Sequence, residues 1–203
     1  MDGGRVEDIA ALTREIAACR RCAPAFARSR SAHLPRPVPW LSDRAPVLIA
    51  GQAPGAQVHA KGRPFDDRSG DRLRDWLGVD RAAFYDRDRF AVLPMAFCFP
   101  GYDAKGADLP PPPLCAATWR ARALATMPQV RLTLLIGGYA LRWRLGPGDV
   151  TATVARWREF GPELMPLPHP SWRNTGWLKR NPWFETELVP ELRRRIAALA
   201  GPA

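Results

Sequence analysis

Four short runs of the chain are largely apolar: residues 46–50, 90–97, 130–136 with Arg131 and Thr133 inside it, and 163–167 after a leading Glu163. Runs of that length and apolar content predict strands buried on both sides, the pattern of a parallel sheet sandwiched between helices. Between them the spacing turns helical. Val6, Ile9, Ala10, Leu12 and Ile16 predict an amphipathic helix over 5–18, and Leu73, Trp76 and Leu77 predict one over 70–78. Ser69 is placed to cap the second, Asp71 sits in its first turn, and Gly78 ends it. An Ala-rich helix follows over 115–127, then one carrying Tyr139, Leu141 and Trp143 after Gly137-Gly138. The last helix has Asn181 as N-cap, Pro182 at its first position, and Phe184, Leu188, Leu192 and Ile196 on one face. Pro94 removes a ladder donor, so the second strand should end or bulge near it. Residues 23–45, rich in Pro, Arg and Ser, read as extended loop. The expectation is an α/β fold, three-layer α/β/α with a central four-stranded parallel sheet, in one domain over 1–203.

The longest connection, 51–78, follows the first strand and reads as a loop leading into a helix. Loops at the carboxyl ends of such strands are where open parallel sheets bind ligands. Gly51 and Gly55 around Pro54 restrict its shape further. Composition points to the kind of ligand. Thirty basic residues face twenty acidic ones, for a formal charge of +10, which favours a polyanion. Nearly all of that charge is Arg, a bias that genome composition also produces, so clustering is the better signal. Arginines 20, 21, 28, 30, 36 and 44 are interrupted by one acid, Asp43, and Arg173, Lys179 and Arg180 by none. No stretch of 18 apolar residues occurs and the first residues lack an apolar signal core, so a cytosolic protein is expected.

Four cysteines form two pairs: Cys19 and Cys22, and Cys98 and Cys115 with sixteen residues between them. In a cytosolic chain this suits a metal site better than disulfides, and spacing alone leaves zinc and an iron-sulfur cluster both open.

Gly51-Gln52-Ala53-Pro54-Gly55, then Gly62-Arg63-Pro64-Phe65, and far downstream His169-Pro170-Ser171 together resemble the uracil-DNA glycosylase superfamily, most closely its iron-sulfur-containing bacterial and archaeal branch. The resemblance implies a DNA repair enzyme that flips uracil, or another deaminated base, out of DNA and hydrolyses its N-glycosidic bond. It implies a monomer in the bacterial cytosol. Cys19, Cys22, Cys98 and Cys115 would hold a 4Fe-4S cluster, with zinc the alternative. Gln52 and His169 would be catalytic, the second donating to the uracil O2. Gly51, Ala53, Pro54, Gly55 and Phe65 would enclose the base, with Phe65 stacking on it. Ser171, Trp172, Arg173 and Asn174 would enter the minor groove, with Lys179 and Arg180 in the basic stretch that contacts DNA.

Two positions depart from that branch. Gln52 stands where many members carry Glu, and Gln orients water without accepting its proton. Pro94 stands where those members carry an Asn that reads the base, which leaves backbone groups near Phe65 or Met95 for that task. Asp66 or Asp67 would then replace the missing carboxylate. Two rival functions follow: a catalytically weak DNA-binding or damage-sensing module, and a hydrolase of free deoxynucleosides.

Overall fold

The computed structural model describes residues 7–200. At its centre are β1 Val47–Ala50, β2 Phe90–Val92, β3 Leu132–Ile136 and β4 Leu164–Leu167. They lie in the order β2-β1-β3-β4, and every neighbouring pair is parallel. Around them run α1 Ile9–Ala17, α2 Ala23–Arg28, α3 Ala56–Lys61, α4 Arg68–Leu77, α5 Arg81–Phe84, α6 Pro113–Ala125, α7 Gly137–Leu145, α8 Val150–Ala155, α9 Thr175–Arg180 and α10 Val189–Ala200. Val47, Leu48, Ile49 and Ala50 are all buried, as expected of a strand covered on both faces.

Alternate residues of those strands serve different layers. Val47, Ile49, Leu132 and Leu134 pack with Leu73, Trp76 and Leu77 of α4 and Leu192 and Ile196 of α10. Leu48 and Ala91 meet Leu12 and Ile16 of α1 and Trp119 and Ala123 of α6. The result is the three-layer α/β/α arrangement. Among the described residues, no helix is long and apolar enough to cross a membrane.

Several local expectations are corrected. The segment after Cys22 is not wholly extended, because Pro24 falls in the first turn of α2, where its missing N–H costs nothing. The 51–78 stretch holds α3 as well as the whole of α4. Asp67, not Ser69, caps α4, its carboxylate accepting from the Gly70 N–H at 2.9 Å. The first helix spans 9–17, capped by Asp8, and residues 5 and 6 of the expected span lie outside the described residues. One expectation in this region holds: β2 ends at Val92, two residues before Pro94. The final helix opens with a π turn over Phe184–Leu188, the Val189 N–H reaching back to the Phe184 carbonyl. Pro190 explains it: its ring has no N–H and would strike the carbonyl one α-turn earlier, and the wider turn relieves both problems.

Candidate active site

From β1 the chain crosses to β2 on one side, and β3 pairs with β1 on the other. That reversal opens a crevice at the carboxyl ends of the strands. A cleft of about 670 Å³ occupies it, lined by Gly51, Gln52, Ala53, Pro54, Gly55, Phe65, Asp67, Pro94, Tyr102, Asp108, His169, Ser171, Trp172, Arg173 and Asn174 among others. Residues more than a hundred positions apart in sequence therefore share one cavity.

The wall after β1 is fixed by backbone. The Gly51 carbonyl accepts from the Met95 N–H at 2.8 Å, and the Gln52 carbonyl from the Ala96 N–H at 3.2 Å. These bonds extend the β1–β2 pairing beyond Pro94 and leave the Gln52 side chain half-buried at the cleft. They also change the expectation for Met95. Its N–H is already used, its side chain is buried in the core, and it is not among the residues lining the cleft.

Phe65 is held in a conformation that its residue type disfavours. Its φ is 54°, a left-handed backbone that costs roughly 1–2 kcal/mol outside glycine. The surroundings enforce it. The Phe65 carbonyl abuts Gly70, where a Cβ would fall 1.7 Å from that oxygen, and it accepts from Arg74 Nη1 at 3.3 Å. Arg74 is itself buried, tied to Asp71 at 2.6 Å. A Cβ built on Gly51 would lie 3.5 Å from the ring end of Phe65, in ordinary contact, so the ring stands directly beside the loop after β1.

His169 follows β4 in a Pro-His-Pro segment. Its Nδ1 accepts from the Ser171 N–H at 3.1 Å, and a backbone N–H can only donate, so in the neutral ring Nε2 carries the proton. Burial pushes its pKa below the ordinary value, with Asp67 pulling the other way. His169 is therefore a neutral donor facing a carboxylate across the cleft. Of the two candidate carboxylates, Asp66 is engaged elsewhere, at 2.8 Å from Arg81 and 3.6 Å from Lys61. These cations hold its carboxyl below the usual range. Asp67 lines the cleft and Asp66 does not.

The loop after His169 is braced from two sides. Asn174 Nδ2 donates to the His169 carbonyl at 2.7 Å, and Arg72 of α4 donates to the Ser171 carbonyl at 2.9 Å and the Thr175 hydroxyl at 3.0 Å. On this rigid base Trp172 stands 66% exposed, with the Arg173 guanidinium 5.9 Å from its ring centre. Lys179 and Arg180 are exposed in the last turn of α9, outside the cleft lining.

Cys19, Cys22, Cys98 and Cys115 line a second pocket with apolar neighbours including Ile16, Phe26, Phe97 and Trp119. All four are free thiols. Burial first, and the neighbouring thiols next, push Cys98 up to about 12. Burial pushes Cys115 up to about 11, against a 3.4 Å hydrogen bond from the Phe97 N–H. Among the described residues, no group of three or more His, Cys, Asp or Glu side chains is placed to hold a metal ion. The thiols surround a space and do not meet at a point.

Sequence reasoning missed four contributors. Tyr102 and Asp108 come from a loop that read only as a connection, which Tyr102 and Asp108 close by an antiparallel bridge. Gly137, expected merely to end β3, has φ 77° and faces His169 directly. Arg72 carried no sequence signal at all. A family model described as the uracil DNA glycosylase superfamily matches residues 38–193, a span that includes Cys98 and Cys115 and leaves Cys19 and Cys22 outside.

Proposed function

We propose, from the premise that the chain belongs to the uracil DNA glycosylase superfamily, that it excises uracil from DNA and leaves an abasic site. Activity of the DNA-glycosylase type goes with the family; the substrate and the residue roles are our reading. A base must leave the stack to reach such a cleft, and uracil in a mispair is cheap to extrude. Phe65 would stack on the flipped base. His169 Nε2–H would donate to its O2 as the C1′–N1 bond breaks and negative charge collects on the leaving base. A preorganised donor of this kind contributes roughly 3 kcal/mol. Asp67 and Gln52 would hold the water that adds to C1′, with the carboxylate of Asp67 accepting its proton. Trp172 would fill the gap in the duplex, with Arg173 on the phosphates.

The observation that carries this reading is the fixed tautomer of His169, a half-buried neutral donor on a braced loop. Alkali-induced scission of a uracil-containing duplex tests it: wild type cleaves, and His169→Ala loses about a hundredfold or more. Equal rates would overturn it. A second reading has its own support. Gln52 and Pro94 line the cleft where a base and a base-reading amide would serve catalysis, which suits a damage-binding module. Retention of the duplex without scission would select that one.

For the second pocket we propose a thiolate-bound metal group supplied by Cys19, Cys22, Cys98 and Cys115. Such a group would deprotonate its ligands and cross-link the N-terminal segment to α6. Thiols spread around a pocket suit a 4Fe-4S cluster better than zinc, whose four sulfurs crowd within about 4 Å of one another at a Zn–S length of about 2.3 Å. Visible absorption of the purified protein tests this.

A further inference from the structure

The short helix α5 and Tyr85 after it grip the segment that carries Phe65, residue by residue. The Tyr85 hydroxyl donates to the Pro64 carbonyl at 3.0 Å. Phe84 meets two rings edge to face, with centres 6.1 Å from Phe65 and 5.2 Å from Tyr85. Arg81 pairs with Asp66 at 2.8 Å. The Tyr85 ring is itself held in place: Trp40 lies edge-on at 5.5 Å, and the Arg63 and Arg81 guanidiniums stand 4.7 and 5.3 Å from its centre. Tyr85 is not among the residues that line the cleft.

Of these contacts the hydroxyl bears most directly on the backbone. The Pro64 carbonyl lies in the rigid peptide plane whose rotation about the Phe65 N–Cα bond is φ, so a bond to that oxygen holds Phe65 at its 54°. The plane on the other side is held by a longer bond, from Arg74 at 3.3 Å. The strain of a left-handed phenylalanine and the net worth of one hydrogen bond are of similar size, so one hydroxyl is enough to decide the conformation. Pro64 is buried, and without the hydroxyl its carbonyl would lose its partner, a further push on the plane to turn. The Asp66 pair weighs less, because the Arg81 side chain is 52% exposed.

We propose that Tyr85 is a positioning residue for base recognition: from outside the cleft its hydroxyl locks Phe65 in the left-handed conformation that presents the ring to the flipped base. The inference rests on Phe65 as the stacking ring in the function proposed above. Strain of this kind persists where a ligand clamp needs it. A ring already fixed beside Gly51 spares binding the cost of ordering it, which is preorganisation. Released from the hydroxyl, Phe65 turns toward negative φ and the ring leaves that place.

Equilibrium binding to two duplexes tests it by fluorescence anisotropy, one duplex holding a single non-hydrolysable, fluorinated deoxyuridine and the other no uracil. Tyr85→Phe keeps the ring and its packing, so its melting temperature should fall by only about 2–4 °C. Phe65→Ala should weaken binding of the uracil duplex by about 5–150-fold, the usual worth of a base-stacking aromatic. Tyr85→Phe should weaken it by about 2–10-fold, the worth of one hydrogen bond. Neither should change binding of the uracil-free duplex. Added to Phe65→Ala, Tyr85→Phe should have no further effect, because a hydroxyl that acts through the ring has nothing left to position. A loss that persists in that background, or that extends to the uracil-free duplex, marks a merely structural role and overturns the inference. So does a Tyr85→Phe protein that binds the uracil duplex like wild type while Phe65→Ala does not, and the proposed function then stands. A wild type with no preference for the uracil duplex, or a Phe65→Ala protein that keeps the full preference, overturns that function or its stacking ring, and the inference falls with it.

Discussion

Gly137 and His169 touch across the ends of β3 and β4: a Cβ built on Gly137 would lie 3.4 Å from the His169 Cβ and 3.5 Å from its Cδ2. Gly137 also has φ 77°, which no other residue adopts without strain. Gly137→Ala therefore strains the backbone at the start of α7, with the new methyl packed in contact against the imidazole. The expected result is a loss of about 1–2 kcal/mol in stability, with single-turnover excision lowered only as far as the strained backbone moves the imidazole. Urea melts and rapid-quench assays measure the two separately. A variant that loses stability alone would show that the contact does not orient the donor.

The neutral state of His169 sets a pH signature. Burial holds its pKa below 6.5 in the fold, so on acidification the unfolded chain takes up this proton first. The stability that goes with the neutral ring is present above pH 6.5 and lost as pH falls through the lower folded value. Excision should likewise stay level as pH drops through 6.5 and decline only below it. His169→Asn should remove this share of the slope in stability against pH. A rate that rises as the imidazole becomes charged would contradict the neutral-donor role.

Asp67 does two jobs that one substitution separates. Its carboxylate caps α4 through the Gly70 N–H and faces the cleft. Asp67→Ser keeps a capping oxygen and removes the base, so stability should hold within a few tenths of a kcal/mol while excision falls by about 10²–10⁴, the usual worth of a positioned general base. Asp67→Ala should lose the same activity and also about 1 kcal/mol of stability. Asp66→Asn breaks only ion pairs to Arg81 and Lys61, and its excision rate should match wild type.

Much of this was legible in the sequence. β1 and β2 bury every residue and β3 and β4 all but one each, and a largely apolar run of that length has no other comfortable home. The Gly51–Gly55 loop and His169 were legible because their spacing and neighbours are unusual. The short helices were not: α2 and α3 have six residues each, too few for a periodicity to register. Capping by Asp67 over Ser69 turns on which side chain meets the Gly70 N–H, a fact of geometry. The Gly137–His169 contact joins the start of α7 to the loop after β4, and nothing local announces it. Met95 shows the opposite error. A backbone group expected to read the base is spent on the Gly51 carbonyl.

Trp172 makes the clearest prediction about DNA. It is exposed on a loop braced by Arg72 and Asn174, so its ring is presented with little conformational freedom left to lose. Trp172→Ala should weaken binding to a uracil-containing duplex by about 1–3 kcal/mol, the usual worth of a base-stacking aromatic, and leave the salt slope unchanged. Arg173→Ala should instead reduce that slope by about one phosphate. Fluorescence anisotropy across a salt series distinguishes them, and a Trp172 variant that binds as tightly as wild type would remove the ring from the interface.

The bonds from Met95 and Ala96 to the Gly51 and Gln52 carbonyls use main-chain atoms alone. The frame of the cleft is thus indifferent to which side chains stand at 52 and 94. A lineage can exchange the groups that read the base or handle water there, one at a time, without first losing the fold. Gln52 and Pro94 are thus positions where substitution should change what the cleft accepts before it changes the fold.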